Sequence, residues 1–232
     1  MSMGNRIEIA IEGSDVAMTA YRADPVDTPK GAIIVIQEIF GVNAGIREKA
    51  EHWASLGYLA IAPDLFWRMQ PGVELDPDVP DQLQEAFGFY QKFDLDAALR
   101  DVEATIRTAR ADVASVGVVG YCLGGLIAYL AAARTDADAS VGYYGGGIDT
   151  KLNEAHAIAK PLLLHFAGAD HFIETPARDA IGAVLDGHEK VTIFDYPGVD
   201  HGFATTSGAR RDDAAAKAAD ARTEAFFAEH LG

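Results

Sequence analysis

One five-residue segment near the middle of the chain restricts its local structure more than any other feature. Residues 120–124 read Gly-Tyr-Cys-Leu-Gly, after an apolar run at 114–119 and before helix-forming residues at 125–133. Glycines two positions before and two after the cysteine permit a turn from strand to helix that is too sharp for side chains. This pattern predicts a strand, a strained bend with Cys122 at its tip, and a helix. A helix N-terminus stabilises negative charge, so the position favours a nucleophilic thiolate.

Strand-like and helix-like segments alternate along most of the chain. The strands are predicted at residues 6–9, 18–21, 32–36, 58–62, 114–119, 140–144, 161–166 and 190–195. The helices are predicted at residues 46–56, 94–110, 125–133, 177–185 and 212–230. Such alternation predicts an α/β fold, with a mostly parallel sheet and helices on both faces. A length of 232 residues without a repeat or long linker predicts a single domain over residues 1–232.

The net charge and the composition of the chain make some classes of binding partner unfavourable. The formal net charge of −16 is unfavourable for binding nucleic acid or an anionic membrane, and no apolar stretch approaches the roughly 20 residues of a membrane span. The single cysteine excludes an internal disulfide, and no secretory signal pattern is present, so we expect a cytoplasmic protein. No His-rich or Cys-rich cluster suggests a metal site. We expect a monomer or weak homodimer that acts on a small molecule.

Two residues after later strands are candidate partners for the cysteine. Catalytic groups collect at the carboxyl ends of parallel strands. The segment around Cys122 resembles the nucleophile elbow of α/β-hydrolases, in which the acid and then the histidine follow the nucleophile along the chain. Asp170 follows the strand at 161–166 in a glycine-containing turn, and His201 follows the strand at 190–195. The chain order therefore predicts Asp170 as the acid and His201 as the base.

Other residues compete for these two roles. His165 lies inside an apolar strand and is expected to be a hydrogen-bonded core residue. His171 neighbours the predicted acid but precedes the final strand. Asp200 adjoins the predicted base in sequence, which makes a side-chain bond between them awkward. Asp195 stays an alternative acid if Asp170 points away.

The three predicted catalytic groups define one reaction. Cys122 attacks an ester carbonyl and forms a thioester, while His201 accepts and returns protons. Asp170 orients the imidazole ring and stabilises its charged form. The negative charge that develops on the carbonyl oxygen requires N–H donors placed in advance.

The loop after the strand at 32–36 contains further candidates. The backbone N–H of Leu123, directly after the nucleophile, is the first predicted oxyanion donor, and the N–H of Ile39 is the second. Glu38 is an unusual carboxylate at the end of a fully apolar strand. It is either a solvated loop acid or a carboxylate that faces the thiol and accepts its proton.

Segments spread over nearly the whole chain resemble the dienelactone hydrolase (carboxymethylenebutenolidase) family. They are residues 37–41, 62–65, 120–125, 142–145, 168–170 and 201–203, and they follow the family's order. The resemblance implies the α/β-hydrolase fold, hydrolysis of a lactone or ester, and no cofactor. It also implies a triad of Cys122, His201 and Asp170. Glu38 would pair with the resting thiol until substrate displaces it and it takes the proton.

The resemblance also concerns the substrate pocket. Tyr144 matches a tyrosine near the family's active site, and Phe40 and Phe203 are further pocket candidates. Family members that act on dienelactone grip the substrate carboxylate with arginines, yet residues 76–92 contain none and the arginines after the histidine come late. These late or distant arginines are Arg68, Arg210 and Arg211. The aromatic residues Phe87, Phe89, Tyr90 and Phe93 line an apolar pocket or belong to the core.

Three functions are compatible with these residues. The leading hypothesis is a cysteine-dependent ester or lactone hydrolase. A thioesterase or acyltransferase would use the same triad but pass the acyl group to another nucleophile. A non-catalytic thiol sensor on the same fold would use an oxidation-prone cysteine, but it would need neither a triad nor an oxyanion loop.

Overall fold

Helices and strands alternate through residues 4–232, the part of the chain that the computed structural model describes. The strands are mostly parallel, which confirms the α/β fold predicted from the sequence. The chain divides into two units, Met1–Val116 and Gly117–Gly232. The single domain over residues 1–232 stays a prediction. No described helix has both the length and the apolar character that crossing a membrane requires.

The predicted elements are confirmed, with shifts of a few residues at their ends. The strands are β1 (Asn5–Ile9), β2 (Met18–Ala23), β3 (Ala32–Ile36), β4 (Leu59–Pro63), β5 (Val116–Tyr121), β6 (Ala139–Tyr143), β7 (Leu162–Ala167) and β8 (Val191–Tyr196). The helices are α1 (Ala44–Ser55), α2 (Pro80–Tyr90), α3 (Leu95–Ala109), α4 (Leu123–Arg134), α5 (Thr175–Leu185) and α6 (Asp213–Leu231). Helix α2 and a 3-10 helix at Ile148–Ala157 are not among the helices predicted above from the sequence pattern.

The first unit combines an antiparallel edge with a parallel pair of strands. Its strands lie in the order β1, β2, β4, β3, and only β3 and β4 run parallel. Every residue of β3 and β4 is buried, as expected for apolar strands that are covered on both faces. Helix α3 begins at the Asp94 cap, whose carboxylate accepts the Ala97 N–H at 2.9 Å. Glu38 follows β3 almost at once, at the carboxyl end of that strand.

The second unit is fully parallel and carries the predicted triad. Its strands lie in the order β5, β6, β7, β8. Helix α4 packs on β6, and α6 packs on β6 and β7. Cys122 directly follows β5, Asp170 follows β7, and His201 follows β8. Since parallel strands end at the same edge of a sheet, the fold places all three residues at one edge.

Candidate active site

Cys122 lies on a strained bend between β5 and α4. Its backbone has φ 55° and ψ −115°, and residues other than glycine rarely adopt a positive φ. The bend is held by the Cys122 N–H, which donates to the Tyr143 carbonyl at 3.0 Å, and by the Cys122 carbonyl, which accepts the Gly125 N–H at 2.9 Å. The cysteine is half-buried. The strand, bend and helix predicted from the sequence are therefore confirmed, and the residue is not enclosed in the core.

The glycines around the bend are required by close backbone contacts. A Cβ on Gly120 would lie 1.9 Å from the Gly124 carbonyl oxygen. A Cβ on Gly125 would lie 2.5 Å from the Tyr143 carbonyl oxygen, where α4 crosses the end of β6. Both obstacles are backbone atoms, so no side-chain rotation could relieve them.

The predicted acid and base contact each other in a buried pair. His201 Nδ1 lies 2.9 Å from Asp170 Oδ2, and the two side chains are 6% and 0% exposed. The other carboxylate oxygen of Asp170 accepts the backbone N–H groups of Phe172 at 2.8 Å and Ile173 at 3.1 Å. One oxygen of the carboxylate is thus held by the backbone while the other orients the imidazole.

The His201 ring also forms a hydrogen bond with the Cys122 side chain. Burial lowers the pKa of the His201 ring, because it removes the charged form from water. Negative charge at Cys122 and the hydrogen bonds to Asp170 and Cys122 outweigh burial and raise this pKa to about 10. The ring is therefore a cation near neutral pH.

The structure separates Asp170 from the competing acids. Asp200 Oδ1 accepts the backbone N–H of His201 at 2.6 Å and lies 2.9 Å from Nδ1 of the exposed His171. Asp200 therefore binds the backbone of the histidine loop rather than the His201 ring. Asp195 is exposed on β8. Asp170, rather than either alternative, contacts the His201 ring.

The other buried histidine, His165, is a hydrogen-bonded core residue, as predicted. His165 is fully buried on β7, with Nδ1 2.8 Å from the Tyr196 hydroxyl and Nε2 3.0 Å from Thr223 Oγ1. Burial and then the nearby charge of Arg222 lower its pKa to about 3, so the ring is neutral. Among residues 4–232, no group of three or more His, Cys, Asp or Glu side chains is arranged to hold a metal ion.

Aromatic rings surround the imidazole of His201. Tyr144 is fully buried with φ 38°, and its ring centroid lies 5.0 Å from that of His201. Phe203 is fully buried and packs against Tyr144 at 5.4 Å. The assignment of these two residues to a substrate pocket stays a prediction. Phe172, which the sequence analysis did not single out, is 61% exposed and also lies 5.0 Å from the His201 ring.

The predicted residues of the first unit lie together after β3. Glu38, Ile39 and Phe40 are buried, with 7%, 6% and 3% exposure. The next residue, Gly41, has φ +74°, and a Cβ there would lie 1.8 Å from the Val73 carbonyl oxygen. This contact fixes the course of the loop backbone. The roles of the Glu38 carboxylate, the Ile39 N–H and the Phe40 ring stay predictions.

The three late or distant arginines differ in their surroundings. Arg68 binds both carboxylate oxygens of the fully buried Asp101. Arg211 forms an ion pair within its own turn. Arg210 lies against the histidine loop, because a Cβ on Gly202 would be 2.7 Å from its Nη1 atom. Arg68 is thus held by an ion pair with α3, whereas Arg210 lies next to Gly202, the residue after the predicted base.

Two aromatic residues at and after the end of α2 pack against a buried ring. Phe89 stacks on the fully buried Phe66 at 5.2 Å, and Phe93 meets the same ring edge-on at 5.6 Å. Tyr90 is 46% exposed. Phe89 and Phe93 are themselves half-buried, so both interpretations from the sequence, pocket and core, stay open.

Comparisons with known proteins match almost the whole chain to one family. Residues 18–231 match the model of the dienelactone hydrolase family. The carboxymethylenebutenolidase of Pseudomonas putida is 40% identical over 212 residues, which cover 90% of each chain. Carboxymethylenebutenolidase 1 of Cupriavidus pinatubonensis is 38% identical over 207 residues, which cover 88% of each chain. A solved Klebsiella pneumoniae protein, provisionally named a dienelactone hydrolase, is 28% identical with a TM-score of 0.83, and the match covers 97% of this chain and 98% of that one.

Proposed function

Because the chain belongs to the dienelactone hydrolase family, we propose that it hydrolyses a lactone or carboxylic ester through an acyl-cysteine intermediate. The observation that carries the proposal is the His201 ring, which contacts the buried Asp170 carboxylate and forms a hydrogen bond with the Cys122 side chain. Two relatives are named carboxymethylenebutenolidases, so a lactone is the first substrate class to test.

The proposed acylation step starts from a Cys122 thiolate beside a His201 imidazolium. The Cys122 thiolate attacks the carbonyl carbon, a carbon–sulfur bond forms, and negative charge moves to the carbonyl oxygen. Collapse of this tetrahedral species breaks the carbon–oxygen bond of the ester. The leaving oxygen takes the proton of the His201 imidazolium and departs as an alcohol. In a lactone, the alcohol stays attached to the acyl group.

Deacylation returns the site to its starting charges. His201, now neutral, removes a proton from water as the water oxygen attacks the thioester carbon. The carbon–sulfur bond breaks, the thiolate leaves, and His201 remains as the imidazolium. Asp170 holds the ring orientation in both half-reactions. The net reaction consumes one ester and one water and yields one acid and one alcohol.

The start of α4 supports the same chemistry. The first N–H groups of a helix have no partner inside the helix, and Leu123 is the first residue of α4. An oxyanion near Cys122 would gain this N–H and the positive end of the helix dipole. Preorganised donors of this kind are worth roughly 10²–10³ in rate for each donor.

Alanine substitutions and trapping of the intermediate test the proposal. Cys122→Ala and His201→Ala should each lower kcat/KM for p-nitrophenyl acetate by at least about 10⁴-fold. His156→Ala is the matched control, because this histidine is exposed on the 3-10 helix. Rapid acid quenching and peptide mass spectrometry should locate the acyl group on Cys122. Undiminished turnover by Cys122→Ala would refute the mechanism, and preferred transfer to an added alcohol over water would identify an acyltransferase.

A further inference from the structure

Phe172 is an exposed aromatic side chain at the edge of the proposed catalytic histidine. It is 61% exposed, and its ring meets the His201 ring at a centroid distance of 5.0 Å and an angle of 71°. Tyr144 contacts the same imidazole at the same distance but is fully buried. Of these two aromatic neighbours, Phe172 is therefore the one that a molecule arriving from solvent can touch.

The position of Phe172 is fixed by the hydrogen bonds that hold the acid. Its backbone N–H donates to Asp170 Oδ1 at 2.8 Å, and the next residue, Ile173, donates to the same oxygen at 3.1 Å. The Ile173 side chain is 1% exposed and anchors this turn in the core. The exposed ring is thus attached to the turn that orients His201 through Asp170 Oδ2.

The proposed reaction brings the leaving group of the substrate to this place. His201 must approach the leaving oxygen to about 3 Å in order to protonate it. Because the ring centroids of His201 and Phe172 are 5.0 Å apart, a group bonded to that oxygen can contact the Phe172 ring when it extends towards it. Aromatic rings favour edge-to-face or offset contact with other flat, unsaturated groups.

We propose that Phe172 is a specificity-determining residue, which contacts the leaving group and favours aryl or other planar unsaturated alcohols. The proposal rests on the proposed hydrolase function, because it needs His201 to protonate the leaving oxygen. Enol leaving groups of unsaturated lactones belong to the same planar class. Saturated, flexible alcohols would gain less from the ring.

Two esters with the same acyl group test the proposal. Kinetics with phenyl acetate and 2,2,2-trifluoroethyl acetate compare a planar with a saturated leaving group. Phe172→Ala should lower kcat/KM for phenyl acetate by about tenfold, since roughly 60 Å² of apolar contact is lost. The value for the trifluoroethyl ester should stay within about twofold. Phe172→Leu keeps part of the apolar contact and should lose about threefold on phenyl acetate.

Val184→Ala is the matched control, because Val184 is 45% exposed on α5. Circular dichroism and thermal melting establish whether each variant is folded. If Phe172→Ala does not fold, Phe172→Leu still tests the proposal. Equal losses on both esters would overturn the proposal, because they would mean that Phe172 acts only through His201. An unchanged rate on phenyl acetate would overturn it as well. Two other results would show that the proposed function itself is wrong. They are a wild-type protein that cleaves neither ester and a Cys122→Ala variant that stays active.

Discussion

Replacing Asp170 by asparagine changes one oxygen of the proposed triad into a donor. Asp170 Oδ1 accepts two backbone N–H groups, so the amide oxygen of an asparagine must occupy that place. The opposite orientation would leave two N–H groups facing an NH₂ group, at a cost of about 1–3 kcal/mol for each. The NH₂ group of Asp170→Asn is therefore directed at His201 Nδ1, which lies 2.9 Å from Oδ2 in the wild type.

This orientation places the proton of the His201 ring on the wrong nitrogen. His201 Nδ1 must then accept a hydrogen bond, so the ring is neutral and its proton moves to the other nitrogen. Loss of the carboxylate also lowers the His201 pKa from about 10, because the hydrogen bond to Asp170 helps to raise it. In the proposed mechanism this removes the imidazolium that pairs with the thiolate. We expect kcat/KM to fall by about 10⁴-fold, which corresponds to about 5.5 kcal/mol of transition-state stabilisation.

The assay is kcat/KM for p-nitrophenyl acetate against pH, with spontaneous hydrolysis subtracted. The imidazolium exists below the His201 pKa, so wild-type activity should fall as pH rises through about 10. For Asp170→Asn this decline should move to lower pH. Asp195→Asn, at an exposed position of β8, is the matched control. A folded Asp170→Asn variant within tenfold of the wild type, or with the same high-pH decline, would refute the reasoning.

Two further predictions concern the backbone around the site. Asp200→Ala removes the acceptor of the His201 N–H and should lower kcat more than it changes KM. Asp200→Asn keeps an acceptor oxygen and should retain most of the activity. Equal losses of activity in the two variants would contradict this role of Asp200. Gly125→Ala forces its Cβ against the Tyr143 carbonyl and should reduce the free energy of unfolding by about 1–3 kcal/mol in denaturant titration. The control Gly88→Ala, in the open interior of α2, should raise it by about 0.5–1 kcal/mol, and a Gly125→Ala variant as stable as this control would contradict the contact.

Local pattern and chain order predict most of the fold and the main members of the candidate site. The helix α3 is predictable because Leu95, Leu99, Val102 and Ile106 recur at helical spacing. The bend at Cys122 is predictable because its glycines are required by backbone contacts at neighbouring positions. The contact of His201 with Asp170 follows from the rule that catalytic groups collect where parallel strands end.

Contacts between distant segments are not predictable in this way. The burial of His165 suggests partners, but only the packed fold shows that these are Tyr196 and Thr223, from β8 and α6. Adjacency in sequence predicts that Asp200 is a poor partner for the His201 ring, but it does not predict that Asp200 binds the His201 backbone N–H instead. The exposure of Phe172 depends on how its turn packs, which leaves no periodic signal in the sequence.

The charge on His201 gives a reason for a cysteine rather than a serine at position 122. An imidazole with a pKa of about 10 is protonated near neutral pH, and a protonated ring cannot remove the proton of a serine hydroxyl. The same ring can stabilise a nucleophile that is already an anion, and thiols ionise far more readily than hydroxyls. In the proposed mechanism the ring therefore begins as an acid for the leaving group and becomes a base only after acylation. Negative charge at Cys122 is itself one cause of the raised pKa of His201.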